Sequence, residues 1–261
     1  MNCVFCKTST EDSKSREHII PESLGNEEHI LPPGIVCDSC NNYFAVKIEQ
    51  PLLSFPYFQS LRSRLRIPSK RNIIPPTQGI LRPILPEQIK INIRPEIDGS
   101  LSIYPSQEKD ESKFIQMILS NKSNSMIIPI LDYDSILEKE ESMRLLSRFV
   151  AKVGIEVLAQ KLIEIPNGIT KEIVENASLD RVRFYARFDK GPTWKLSVAR
   201  QYSEDKIHND LLENSSYQIL HEYDIYAEEN KNYFIRLTIA GVEYVLNLAD
   251  PECGYNGHAI K

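Results

Sequence analysis

An α+β fold in two parts is what the sequence predicts, and three observations predict it. Two Cys-x-x-Cys pairs, Cys3 with Cys6 and Cys37 with Cys40, stand in the first forty residues. A proline-rich stretch from 51 to 86 follows, holding Pro51, Pro56, Pro68, Pro75, Pro76, Pro83 and Pro86. Beyond it, one long helical repeat stands among segments of alternating apolar character.

Each element can be justified in turn. Proline fixes φ and donates no hydrogen bond, so 51–86 reads as an irregular connector with at most a short helix. It divides a small metal-stapled domain over residues 1–72 from a larger one over 73–261. The charges divide the same way: residues 1–72 carry nine Lys/Arg and eight Asp/Glu, and the remainder carries 22 and 28. Residues 89–105 read as a hairpin, because Ile89, Ile91 and Ile93 alternate with polar residues and Asp98-Gly99 suits a tight turn. Residues 126–131 read as a short apolar strand or buried segment. Residues 135–164 read as one long helix, with Leu145, Leu146, Phe149, Val150, Val153, Val157 and Leu158 at helical spacing. Residues 181–188, 193–200, 217–228, 232–240 and 242–249 read as strands, with Gly241 turning between the last two. One long helix with an antiparallel sheet makes the second part an α+β accessory domain, regulatory or DNA-binding.

Composition narrows the function. Hydrophobic residues make up 41% of the 261 and charged residues 26%, enough to build a sizeable core. The net charge of −5 excludes nucleic-acid binding by bulk charge, so any such contact needs a local basic patch. No apolar run approaches the ~18 residues of a membrane span. The first residues lack the apolar stretch of a secretory signal, so the expectation is a cytoplasmic chain with no membrane partner. In a reducing compartment, four of five cysteines in two identical spacings read as metal ligands.

A Cys-x-x-Cys turn sets two thiolates on one side of a tight loop, and two such turns complete a tetrahedral Zn²⁺ site. Cys3, Cys6, Cys37 and Cys40 are the expected ligands. A closed four-sulfur site has no position for water, so this zinc is structural. About fifty residues bury too little apolar surface to fold alone, and zinc supplies the missing free energy. The gap from Lys7 to Val36 exceeds the ~15–20 residues of a plain zinc ribbon, so something is inserted between the pairs.

The insert holds Glu17-His18-Ile19-Ile20-Pro21, and the second pair runs on as Cys40-Asn41-Asn42 into a helix carrying Lys47-Ile48-Glu49. Over about residues 3–49 the chain resembles the HNH (ββα-metal) endonucleases, in the bacterial subfamily with this CxxC, EHIIP and CxxCNN pattern. Residues 149–161 and 179–187 resemble the downstream part of a bacterial HNH subfamily. The resemblance implies a β-hairpin and helix that clamp one divalent cation and hydrolyse DNA, leaving 5′-phosphate and 3′-hydroxyl ends. Restriction or antiphage defence is the implied role. His18 is then the general base, since an ordinary imidazole titrates near ~6.5 and accepts a proton at neutral pH. Glu17 is carried over as a metal ligand. It faces away from His18 in a regular strand, a twist at the strand's end would turn it back, and the family more often has Asp there. Asn41 takes the last ligand position, with Asn42 the alternative, because neighbours cannot share one helical face. Oxygen ligands favour Mg²⁺, with Mn²⁺ as a substitute. The middle Asn of the family motif is absent from its usual place, where Pro32 stands. Asn26 or His29 is left to brace the loop.

Residues 61–71 carry Arg62, Arg64, Arg66, Lys70 and Arg71 with no acidic residue, a pattern that neutralises phosphates or simply forms a solvated basic linker. Lys47 is a further candidate phosphate contact. Cys253, His208, His221, His258 and Trp194 read as structural. Two other readings remain at this level. One is a non-catalytic zinc module that binds nucleic acid or protein. The other is a nuclease effector silent until its second domain meets an activating partner, with a homo-oligomer as one possible form.

Overall fold

Residues 1–53 hold too little apolar surface for a sheet of their own, and they form only a minimal hairpin and one helix. In the computed structural model, which describes residues 1–82, 88–120, 125–164, 170–210, 215–227 and 232–255, β1 (Glu17–His18) pairs antiparallel with β2 (Ile30–Leu31). The helix begins as α1 (Asp38–Phe44), widens to a π-turn over Ala45–Glu49 and ends as α2 (Gln50–Leu53). The wide turn leads up to Pro51, which has no N–H to extend a regular α-ladder.

The chain continues through α3 (Pro56–Arg64), β3 (Thr77–Arg82), β4 (Ile89–Pro95), β5 (Leu101–Pro105), α4 (Glu111–Leu119) and β6 (Ser125–Ile127). These strands form an antiparallel sheet in the order β5-β4-β3-β6. Period-two alternation turns Leu81, Ile89, Ile91 and Ile93 inward, where Met117 and Phe114 of α4 cover them. Beyond α5 (Asp134–Leu137) come α6 (Glu140–Glu164), α7 (Thr170–Glu175), α8 (Asp180–Phe188), β7 (Leu196–Arg200), β8 (Ile207–Asp210), β9 (Ser215–Gln218), β10 (His221–Ala227), β11 (Tyr233–Ile239) and β12 (Val242–Asn247). A second antiparallel sheet runs β10-β11-β12-β7, and β8 with β9 form a separate hairpin.

Helix α6 is buried on every face from Leu146 to Val157. One side lies on the second sheet at a close approach: a Cβ on Gly154 would stand 2.7 Å from Leu248 and 3.0 Å from Ile235. The β11–β12 turn needs left-handed backbone at Ala240 and Gly241 (φ 46° and 80°), the two-residue form that matches strand twist. A Cβ on Gly241 would also fall 2.1 Å from the Tyr202 carbonyl oxygen.

By contacts the chain forms two interleaved units. One comprises Met1–Pro21, Asn26–Leu52 and Leu137–Lys261; the other comprises Glu22–Gly25 and Leu53–Ile136. The α+β class, the long helix and the antiparallel sheets agree with the sequence reading, but several boundaries differ. The division expected at 72/73 falls inside the second unit, because α3 packs on β3 there. The proline-rich stretch is not an irregular connector: it supplies α3 and β3, a strand with neighbours on both sides. Residues 126–131 give only the end of β6, and it is exposed. Residues 181–188 are helical, not a strand: Val182, Tyr185 and Ala186 are buried at helical spacing, and Asp189 closes the helix in left-handed backbone. The long helix stops and restarts between Leu137 and Glu140. His258 lies outside the described residues, as do Pro83 and Pro86.

Candidate active site and metal centre

The first knuckle turns because Lys7 adopts left-handed backbone (φ 62°) and donates to the Cys3 carbonyl at 3.0 Å. The second begins α1, with Cys37 at its N-cap and Cys40 one turn in. The four sulfurs of Cys3, Cys6, Cys37 and Cys40 lie within 4.8 Å of one another, and those of Cys6 and Cys37 are 3.5 Å apart. A tetrahedral ion with Zn–S bonds of ~2.3 Å spans sulfurs about 3.8 Å apart, so the cluster fits zinc. The surroundings favour thiolate. The backbone N–H groups of Phe5 and Cys37 donate to Cys3 Sγ at 3.5 and 3.4 Å, and Arg187 Nε donates to Cys40 Sγ at 3.2 Å. A hydrogen bond from Cys40 draws Cys3 down to about 5. The same bond, with burial, pushes Cys40 up. Four clustered sulfurs, three of them on buried residues, cannot all carry charge without a cation, and that is the condition a dication relieves.

The candidate base sits on β1, directly before three buried residues, Ile19, Ile20 and Pro21, that anchor the strand's end. His18 is half-buried and pairs in register with Ile30. The loop beyond is braced by Asn26. Its Nδ2 donates to the carbonyls of Ile20 (2.6 Å) and His29 (3.1 Å), and its Oδ1 accepts from the N–H groups of Glu28 (3.2 Å) and His29 (2.9 Å). Of the two residues left open by the sequence, Asn26 therefore braces with its side chain. The His29 ring packs edge-on against Tyr223, 4.9 Å between centroids.

Helix α1 is clasped to the approach to β1 by residues three apart on one face. Asp38 Oδ1 accepts from the N–H groups of Lys14 (3.0 Å) and Ser15 (2.9 Å) and from the Ser15 hydroxyl (2.6 Å). These bonds hold its carboxyl below the usual carboxylate range, the Ser15 hydroxyl contributing most. Asn41 Nδ2 donates to the Arg16 carbonyl at 3.2 Å, which commits the nitrogen of that amide to the residue before β1 and leaves its oxygen as the atom able to accept. Asn42 is exposed. Behind the clasp, Arg187 stacks on Tyr43 at 3.9 Å and Arg148 donates to the Tyr43 hydroxyl at 2.7 Å.

Glu17 lies on the opposite side of β1 from His18 and is 5% exposed. Its Oε1 is 2.7 Å from Nζ of Lys152, a fully buried residue of α6. The same ammonium lies 2.8 Å from Glu49 Oε1 and 3.2 Å from Glu156 Oε2, and it donates to the His18 carbonyl at 3.1 Å. Burial draws the Lys152 ammonium down, but the three carboxylates outweigh it and hold it well above its ordinary value. Burial pushes Glu156 well above the carboxylate range despite Lys152. The sequence reading missed Lys152, Glu49 and Glu156. A signal was present: a Lys and a Glu four apart in an otherwise apolar run, residues 149–159, mark a pair that the helix must bury.

The basic stretch of the other unit is not one solvent face. Arg62 is 7% exposed on the inner side of α3, and burial lowers its pKa, so it is not a surface phosphate contact. Arg64 is tied to Ser60 at 2.6 Å. Arg66, Lys70 and Arg71 are exposed, with Lys70 3.9 Å from Glu22. Lys47 is exposed on the π-turn. Trp194 is core, stacked on Tyr185, and Cys253 is a half-buried thiol.

No helix among the described residues is long and apolar enough to cross a membrane. No curated protein and no solved structure matches the chain significantly. Residues 3–54 match a family model described as HNH endonuclease, which spans both knuckles, β1, β2 and the whole of α1 to α2. With four cysteines gathered as a zinc site inside that match, residues 3–54 of this chain are similar to the HNH endonucleases.

Proposed function

We propose that the chain is a metal-dependent endonuclease that hydrolyses DNA phosphodiester bonds, with His18 as general base. The observation that carries this reading is the clasp of Asn41 on the Arg16 carbonyl, which brings a helix-borne amide beside the strand that bears the imidazole. Asn41 is the residue that would hold a Mg²⁺ or Mn²⁺ ion beside His18; the twist expected to bring Glu17 to that ion is not made, because its carboxylate is drawn to Lys152 on the core side of β1. When bound, that ion offsets the charge that develops on the phosphate and the leaving oxygen. His18 takes a proton from water as the water oxygen bonds to phosphorus. The bond from phosphorus to the 3′ oxygen breaks and that oxygen takes a proton from solvent, leaving a 3′-hydroxyl and a 5′-phosphate.

The structural zinc lies outside the reaction and holds the start of α1 against the first knuckle. The exposed cations Lys47, Arg66, Lys70 and Arg71 are the candidate phosphate contacts, a set that carries no base readout. Restriction of incoming DNA is the role this reading implies.

The test is plasmid nicking with Mg²⁺, comparing wild type with His18→Ala. We expect a loss of at least ~100-fold in the variant, in the range of a removed general base, with zinc content unchanged. Equal nicking by both proteins would reject the assignment.

A further inference from the structure

We propose that Lys152 is a positioning residue for this nuclease centre, setting the strand that carries His18 at a fixed distance from the helix that carries Asn41. The inference rests on the reading above and extends it to the far half of the chain. One fully buried ammonium reaches groups on three elements: Glu17 Oε1 and the His18 carbonyl on β1, Glu49 Oε1 at the end of the π-turn, and Glu156 Oε2 on its own α6. It therefore grips the candidate base through its own carbonyl and through the side chain before it. It also grips the helix of Asn41 two turns further along. Three donors on one point charge can satisfy acceptors from separate elements at once, which an apolar side chain of equal length cannot do.

The hub also fixes Glu17. With Oε1 held by Lys152 on the core side of β1, that carboxylate anchors the strand from behind and leaves His18 on its other face. Groups that fix the orientation of residues at a metal site change metal affinity or activity by about 10–100-fold when removed. Stability alone does not call for a lone lysine among three carboxylates, since a buried pair is often replaced by apolar side chains without loss. The charge is retained where it touches the site.

The experiment replaces the α6 pair together, Lys152→Met with Glu156→Leu, in the full chain. This removes the buried helical pair as a unit and keeps its volume. We expect one zinc per chain and a cooperative melt, a fall of ~100-fold in kcat for plasmid nicking, and KM for DNA unchanged within about twofold. The Mg²⁺ concentration for half-maximal rate should rise about tenfold, a shift that a merely structural role would not produce. Wild-type kcat and Mg²⁺ requirement in a folded double variant would overturn the proposal. So would a double variant that holds no zinc and melts without cooperativity, for Lys152 would then serve the fold alone. His18→Ala is assayed beside it: if that variant nicks normally, the nuclease reading fails whatever the double variant does.

Discussion

The two units differ in how much charge they bury. The second has an aliphatic centre of Leu81, Ile89, Ile91, Ile93 and Met117, built from the alternation of neighbouring strands, and buries Arg62 on α3. The first buries Lys152, Glu156, Glu17 and Arg183 among its apolar residues, all at or below 5% exposure. Buried charge is costly unless every group finds a partner, so it persists where it does something that apolar packing cannot. In the first unit it ties residues 1–52 to residues 137–255. Arg183 shows how: Nε donates to the Val4 carbonyl in the first knuckle (2.7 Å), Nη1 to Asn176 (2.9 Å) and Asp180 (2.7 Å), and Nη2 to the Ile173 carbonyl.

The sharpest break in this contrast is loss of zinc. Cys40→Ser, or stripping the protein with a strong chelator, should abolish nicking and melt the N-terminal segment, because structural zinc supplies about 10–16 kcal/mol to small sites. Elemental analysis with a circular-dichroism melt checks this, and a Cys40→Ser protein with full zinc content and activity would refute it. Next comes a matched pair, one cut in each unit. Arg183→Met strands several buried carbonyls and should cost about 3–5 kcal/mol, with nicking impaired even below the melting temperature. Ile91→Ala removes buried methylenes in the second unit and should cost about 2–5 kcal/mol, with nicking near wild type at a permissive temperature. Similar nicking in the two variants would dissolve the contrast. The smallest effect concerns Asp38. Its carboxyl titrates below the usual range, so its contribution to stability is present above that range and is lost as pH falls through its lowered value. We expect the Ser15 amide to gain exchange protection from the clasp at neutral pH, to keep it through the ordinary carboxylate value near ~4, and to lose it only below that. Asp38→Ala should remove that protection at every pH.

What the sequence disclosed follows from how far apart the partners are. The knuckles were legible because each is a short pattern whose chemistry is local. The hairpin β4–β5 was legible for the same reason, its register of Ile93 with Ile103 following from the turn. Helix α8 was misread because Arg-Val-Arg-Phe-Tyr-Ala-Arg alternates well enough to pass for a strand. Its helical face shows only once Val182 and Tyr185 have a core to meet. Lys152 went unseen because its partners at 17, 18 and 49 lie over a hundred residues away, and no window of sequence brings them together. Arg62 was misplaced because a charge in a basic run gives no sign of which helical face it occupies.

The separation of 134 residues between His18 and its buried lysine donor has a consequence for synthesis. A ribosome adding roughly 5–20 residues each second delivers all four knuckle cysteines many seconds before Lys152, and Arg183 later still. Zinc can close on the nascent segment early, but the Glu17 carboxylate behind the strand has no ammonium to meet until α6 emerges. Any product cut short before that helix carries both knuckles without the ammonium that Glu17 and the His18 carbonyl meet in the full chain.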